Sequence, residues 1–270
     1  MVEETAMAKK SSPQLAVLKS YLGMDDTKQR FVDILGKNAN AYMATIVNIM
    51  ANSSALTKCD AASVMNSALI GATLDLPIDP NLGFAAIVPY GDKAQFQMQY
   101  KGFIQLAIRT GQYESMNVSE VYEDEIKEYN PITGEIIFND FSETTMRQSG
   151  SDIGIVGYYA WFKLVTGFMK PLYMTIAQLE KHGKKYSQTY KKGYGNWVDQ
   201  KDAMMRKTVI KLLISKWGIM SVQIQKALTF DQSIVKDNNG ELEAEYIDNE
   251  PQTHEPVNTI TVGESNEQAE

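Results

Sequence analysis

Apolar positions along this chain change their spacing twice, from helical to alternating and back to helical. In the first third they recur at helical intervals: Tyr42, Ile46, Ile49 and Met50 lie on one face of residues 39–52, and Val64, Ala68 and Ile70 on one face of residues 61–73. Ser12-Pro13 is a good start for a helix over 14–22. Asp26 can cap 27–35 with Gly36 ending it, and Asp60 can cap 61–73. Pro77 and Pro80 then forbid a regular helix. Residues 84–90 and 94–100 flank Gly91-Asp92-Lys93, which predicts a hairpin, followed by a helix over 101–110 that Gly111 ends. Further strands are predicted at 115–122, 126–129 and 135–138, and a long hairpin from 153–165 and 168–175. Pro171 places the second arm of that hairpin at an edge or a bulge. Helical spacing returns at 176–181, capped by Thr175, and at 198–216 and 221–228, with a Gly/Lys/Tyr-rich loop over 183–195. After residue 230 core formers almost vanish, which predicts a disordered acidic tail. The expected fold is α+β: N-terminal helices, a small central antiparallel sheet with hairpins packed on helices, C-terminal helices and the tail. It divides into an arm at 1–35 suited to subunit contacts, a core at 36–230 and the tail at 231–270.

Composition narrows the class. With 270 residues, 44% of them hydrophobic, the chain can bury a sizeable core. No run of eighteen apolar residues exists, so no membrane span is expected, and the first ten residues lack the apolar stretch of a signal peptide. One cysteine, Cys59, rules out an internal disulfide framework and fits a reducing compartment; it reads as a small buried hydrophobe. The formal net charge of -7 argues at first against a polyanionic partner. Its distribution reverses that impression. Residues 151–230 hold thirteen Lys/Arg against four Asp/Glu, and residues 231–270 hold one against eleven. Local potential, not the total, governs polyanion binding.

Catalytic signals are few. There is no GxxxxGK[ST] phosphate loop, no Cys/His spacing for zinc, and Gly193-Tyr194-Gly195 lacks the third glycine of a dinucleotide motif. Of the two histidines, His254 lies in the tail and His182 beside a helix end, where it reads as a surface residue. No cofactor is expected. Glu125 and Lys127 form an E-x-K that could organise a metal-bound water, so a metal-dependent nuclease is one alternative, set against a solvated strand edge.

Binding signals are stronger. On the helix over 101–110, Lys101, Gln105 and Arg109 form a stripe with two cations and no acid, opposite Phe103, Leu106 and Ala107. The loop over 184–197 interleaves Lys184, Lys185, Lys191 and Lys192 with Tyr186, Tyr190, Tyr194 and Trp197. Lysines supply a salt-sensitive phosphate attraction and aromatics can stack on bases. On the following helix Lys207 and Lys211 share the polar side, with Lys201 further round, while Arg206 falls inside the apolar arc. A buried guanidinium must be paired, so Arg206 meets either an internal carboxylate or a phosphate entering a groove. Tyr100 at the start of the 100s helix and Lys93 at the hairpin tip complete the candidate set.

These segments also carry a family resemblance. The run over 71–83, Ile87-Val88-Pro89-Tyr90, the run over 97–104 and Met205-Arg206-Lys207-Thr208-Val209-Ile210 together resemble the RecT family of bacteriophage recombinases. The similarity spans roughly residues 35–216. It implies a non-enzymatic protein that binds single-stranded DNA and anneals complementary strands without ATP, with the annealed duplex as a further partner. It further implies homo-oligomeric rings or filaments, kinship with lambda Red beta, and a partner exonuclease. The family's Tyr-Lys-Gly and Arg-Lys-Thr segments correspond to Tyr100-Lys101-Gly102 and Arg206-Lys207-Thr208. The acidic tail is this chain's own departure; its acids could compete with DNA or dock a host single-strand binding protein. A passive single-strand binder that protects without annealing is the second alternative.

Overall fold

A computed structural model describes residues 12–150, 152–238 and 240–246. Four helices come first: α1 (Pro13–Gly23), α2 (Asp25–Leu35), α3 (Ala39–Asn52) and α4 (Ala61–Thr73). Ser12 Oγ accepts from Leu15 N–H, and the Asp60 carboxylate accepts from Ser63 N–H, each satisfying a helix-end donor. Asp26 does not cap its helix as expected; α2 begins two residues earlier, so Asp25 and Asp26 lie in its first turn, where acids favour the positive helix end. The hairpin of β1 (Ala85–Tyr90) and β2 (Lys93–Met98) leads into α5 (Tyr100–Arg109). β3 (Tyr113–Tyr122), β4 (Ile126–Asn130), β5 (Glu135–Phe138), β6 (Ile155–Leu164) and β7 (Met169–Thr175) follow. The chain then forms α6 (Ile176–Tyr186), α7 (Gln188–Lys191), α8 (Asn196–Asp199), α9 (Lys201–Trp217) and α10 (Val222–Phe230). It ends in β8 (Ser233–Asn238) and β9 (Glu241–Glu245).

The strands form antiparallel sheets ordered β1-β2-β8-β9, β3-β6-β7 and β4-β5. The fold is thus α+β, as the periodicity predicts. Pro171 sits on β7, an edge strand, where its missing N–H interrupts no ladder between two neighbours. α4 is buried almost all round because α1 and α3 cover one side and β2 and β8 the other. α9 lies between α5 and the β3-β6-β7 sheet. Leu15, Leu18, Leu22 and Phe31 join the same core, so the inner faces of α1 and α2 pack on α3 and α4.

Two further expectations need correction. The tail boundary at 231 is too early. β8 pairs with β2 through Gln95–Ile234 and Phe96–Ser233, and Ile234 and Val235 are buried, so the fold runs on to Tyr246. The acids of β9 hid this strand, because Glu241, Glu243 and Glu245 alternate with Leu242 and Ala244 on its inner side. The expected disorder beyond 246, His254 included, falls outside the described residues. The second correction is the 183–195 loop, which is partly helical. α6 continues to Tyr186 because Gly183 lets the Trp197 ring lie against the helix; a Cβ there would stand 2.9 Å from the indole.

Candidate nucleic-acid interface

Strand alternation builds one wall of the site. On β2, Ala94, Phe96 and Met98 point into the core, so Gln95 and Gln97 share the opposite face. Register places Val88 beside Gln95 across the hairpin. The second wall is the chain from α6 to α8. Gly195, with φ +90°, turns the backbone where a side chain would strain, and a Cβ there would strike Thr189. Asn196 Nδ2 donates to Gln97 Oε1 at 3.2 Å and ties the walls together. Between them lies a cavity of about 410 Å³ lined by Tyr90, Gln95, Gln97, Tyr186, Tyr194 and Trp197 among others. Trp197 is buried and stacks on Tyr190, with ring centroids 5.4 Å apart, whereas Tyr194 is exposed at the mouth. Gln232 also lines it, its backbone held at φ +66° by the turn out of α10.

The lysines next to this cavity in the chain are exposed. Lys184 and Lys185 end α6, and Lys191 and Lys192 end α7. None of the four forms an ion pair among the described residues. Lys185 lies over the Tyr186 ring at 5.0 Å. Lys101 is exposed at the start of α5, beside Gly83, with Tyr100 and Gln105 half-buried on the same helix.

The other cations named from the sequence are held by the protein. Arg109 folds back to donate to the carbonyls of Leu74 and Asp75, at 2.9 and 2.8 Å, which breaks the expected stripe on α5. Lys93 pairs with Asp60 at 3.5 Å, and Lys201 with Glu180 at 2.5 Å. Arg206 meets an internal carboxylate: it bonds Glu120, along with the exposed Asp202 and the Val118 carbonyl. Of the two readings left open for it, the structure has the internal pair. Glu120 also binds Arg147, which no pattern in the sequence marked, at 2.7 Å. Burial would raise the Glu120 carboxyl, but a backbone hydrogen bond and the two guanidiniums hold it below the usual range.

Arg147 also bears on the nuclease alternative. It grips Glu125 with two hydrogen bonds, at 2.5 and 3.0 Å, and Glu125 further accepts from Tyr122 N–H. That carboxylate caps a turn and is not presented to a metal. Lys127 is exposed.

Lys207 and Lys211 do not share a solvent face. Lys207 is only 3% exposed, and its ammonium bonds Asp231 at 2.8 Å; Lys211 bonds the other oxygen of Asp231 at 2.7 Å. Asp231 also accepts from Met98 N–H at 3.0 Å, so one carboxylate joins α9, β2 and the start of β8. Helical spacing places Lys207 opposite Met205, but Asp231, between α10 and β8, meets its ammonium on that side. Lys201, Arg206, Lys207 and Lys211, all candidates from the sequence, are thus each bonded to a carboxylate of the protein itself.

His182, expected at the surface, is half-buried against Tyr186, ring centroids 4.6 Å apart. Burial, then the nearby Lys211 and Lys185 charges, push its pKa down to about 4. The unfolded imidazole titrates near ~6.5. Between these values the unfolded chain binds the extra proton, so this contribution is present above pH 6.5 and is lost as pH falls toward 4. After allowance for partial solvent screening, unfolding measured across this window should show a loss of about 1–2 kcal/mol that His182→Gln removes. Superimposable slopes for the two proteins would refute the assignment.

Comparison with known proteins agrees with the motif order. The model of the RecT family matches residues 40–246. The uncharacterized protein YqaK of Bacillus subtilis (strain 168) is 45% identical over 241 residues, covering 88% of this chain and 81% of YqaK. Protein RecT of Escherichia coli (strain K12) is 28% identical over 188 residues, covering 66% of this chain and 65% of RecT. The family match ends at 246, where the described residues end, so β8 and β9 lie within it. Ordered motifs, an α+β fold and a match over most of the length agree: this chain belongs to the RecT family, a family of DNA recombination proteins of the single-strand annealing class.

Proposed function

We propose that this protein binds single-stranded DNA along the lysines of α6 and α7, with Lys101 extending the track, and anneals complementary strands without ATP. One observation carries the reading: exposed lysines without ion-pair partners among the described residues adjoin in the chain the lining of an aromatic and amide cavity, whereas most other candidate cations are paired with the protein's own carboxylates. Lysines neutralise phosphates and lower strand–strand repulsion. Pairing then proceeds downhill, since stacking and base pairing release free energy without a coupled reaction. The protein is proposed as a binder and not an enzyme, acting on DNA in the bacterial cytoplasm. Homo-oligomers or filaments, a partner exonuclease and a host single-strand binding protein belong to the same proposal, by family membership.

The test mixes two complementary fluorescently labelled oligonucleotides with the purified protein and no nucleotide. Pairing should be at least tenfold faster than without protein. Binding without acceleration would leave a passive single-strand protector in its place, and shortening of the strands in magnesium would indicate a nuclease.

A further inference from the structure

We propose that the cavity between the β1–β2 hairpin and the α6–α8 segment receives a single unpaired nucleobase turned out of the bound strand. The proposal rests on the single-strand binding reading above. Gln95 is 4% exposed, lines the cavity, and its amide nitrogen has no hydrogen-bond partner. Buried N–H groups are nearly always satisfied, so a donor left open inside a cavity marks where a ligand acceptor fits.

The rest of the lining states which ligand. No lysine, arginine or histidine lines the cavity, and its ionisable groups are tyrosines and Asp199. A phosphate finds no counter-charge there and meets the carboxylate of Asp199. A neutral planar heterocycle finds aromatic walls in Tyr90, Tyr186 and Trp197, and amides in Gln95, Gln97 and Asn196. Turned-out bases are read in this way, by stacking on aromatic side chains and by hydrogen bonds to their polar edge. The size, about 410 Å³, falls within the roughly 300–1,000 Å³ of small-molecule pockets. Tyr194, 54% exposed at the mouth, can stack over the entering ring. Charge is divided to match: no cation lines the cavity, and Lys184, Lys185, Lys191 and Lys192 stand just outside it in the chain, where the sugar–phosphate would run.

Binding of a twenty-residue oligothymidine and of an abasic strand of equal length separates base from backbone. The full-length protein should hold the oligothymidine at least tenfold more tightly. Gln95→Leu fills the same space without the open donor, so its Tm should not fall, and Tyr194→Ala changes an exposed side chain. Each should reduce the preference for the base-bearing strand, Tyr194→Ala by about tenfold, with the abasic strand bound as before. Equal losses on both strands, or an unchanged preference in both variants, would overturn the pocket and leave strand binding standing. Failure of the wild-type protein to bind either strand would overturn strand binding and the pocket together. Thymidine monophosphate alone should not compete at strand concentrations; if it does, the cavity serves a free nucleotide and the proposal is wrong.

Discussion

Replacing Lys184, Lys185, Lys191 and Lys192 together with alanine is expected to lower single-stranded DNA affinity at low salt on the order of a hundredfold or more. Each phosphate contact to a single strand contributes about 0.7 to the slope of log affinity against log salt. Loss of four contacts should therefore flatten that slope by about 3, for every sequence alike, because phosphates carry no base identity. The fold should be unaffected, since the four side chains are exposed and form no ion pairs among the described residues. Lys207→Ala supplies the contrast. Lys207 is enclosed and bonded to Asp231, so its loss should lower stability and leave the salt slope in place. Salt titrations of both proteins decide the matter. A flattened slope for Lys207→Ala, with an unchanged one for the quadruple variant, would move the DNA track from α6–α7 to α9.

Asp231→Ala is expected to cost about 3–5 kcal/mol of folding stability, a large part of the 5–15 kcal/mol typical of a domain. The substitution strands the ammonium of Lys207 inside the protein and removes the acceptor for Met98 N–H. Lys211, half-exposed, can turn to solvent and loses less. Burial alone would raise the Asp231 carboxyl, but the two ammoniums hold it below the usual range. Its stabilising effect is thus present above the unfolded value of about 3.9 and is lost as pH falls through the lowered native value. Asp231→Leu with Lys207→Met, an apolar exchange of the pair, should recover much of the loss. Urea unfolding at neutral pH measures all three proteins. A cost below about 1 kcal/mol for Asp231→Ala would mean that the carboxylate and its lysines are not joined in solution. Truncations meant to probe the acidic tail should accordingly begin after Tyr246, because a cut at 231 removes this anchor and two strands.

Much of the architecture was legible along the chain. Caps at Ser12, Asp60 and Thr175, the Gly91-Asp92 turn and the Pro171 edge strand follow from local rules, and each element obeys them. The exposed Lys/Tyr segment was legible too. The cavity was readable in part, since Gln95 and Gln97 alternate with Ala94, Phe96 and Met98 on β2. That alternation gives the face but not what stands opposite it.

What a side chain meets across the fold was decided by tertiary structure alone. Helical spacing sorts Lys207, Arg206 and Met205 into faces, and it assigns those faces to water or core by composition. That assignment fails where a segment distant in sequence returns to cover a polar face. Asp231 does so for Lys207, and Glu120, from β3, does so for Arg206. Burial makes an unpaired charge so costly that such partners must coincide in space, yet no periodicity records a pairing over 24 or 86 residues. The sequence by itself therefore determined the elements, their order and where positive charge is concentrated. Only the assembled structure decided which of those charges the protein pairs with its own carboxylates and which it leaves exposed.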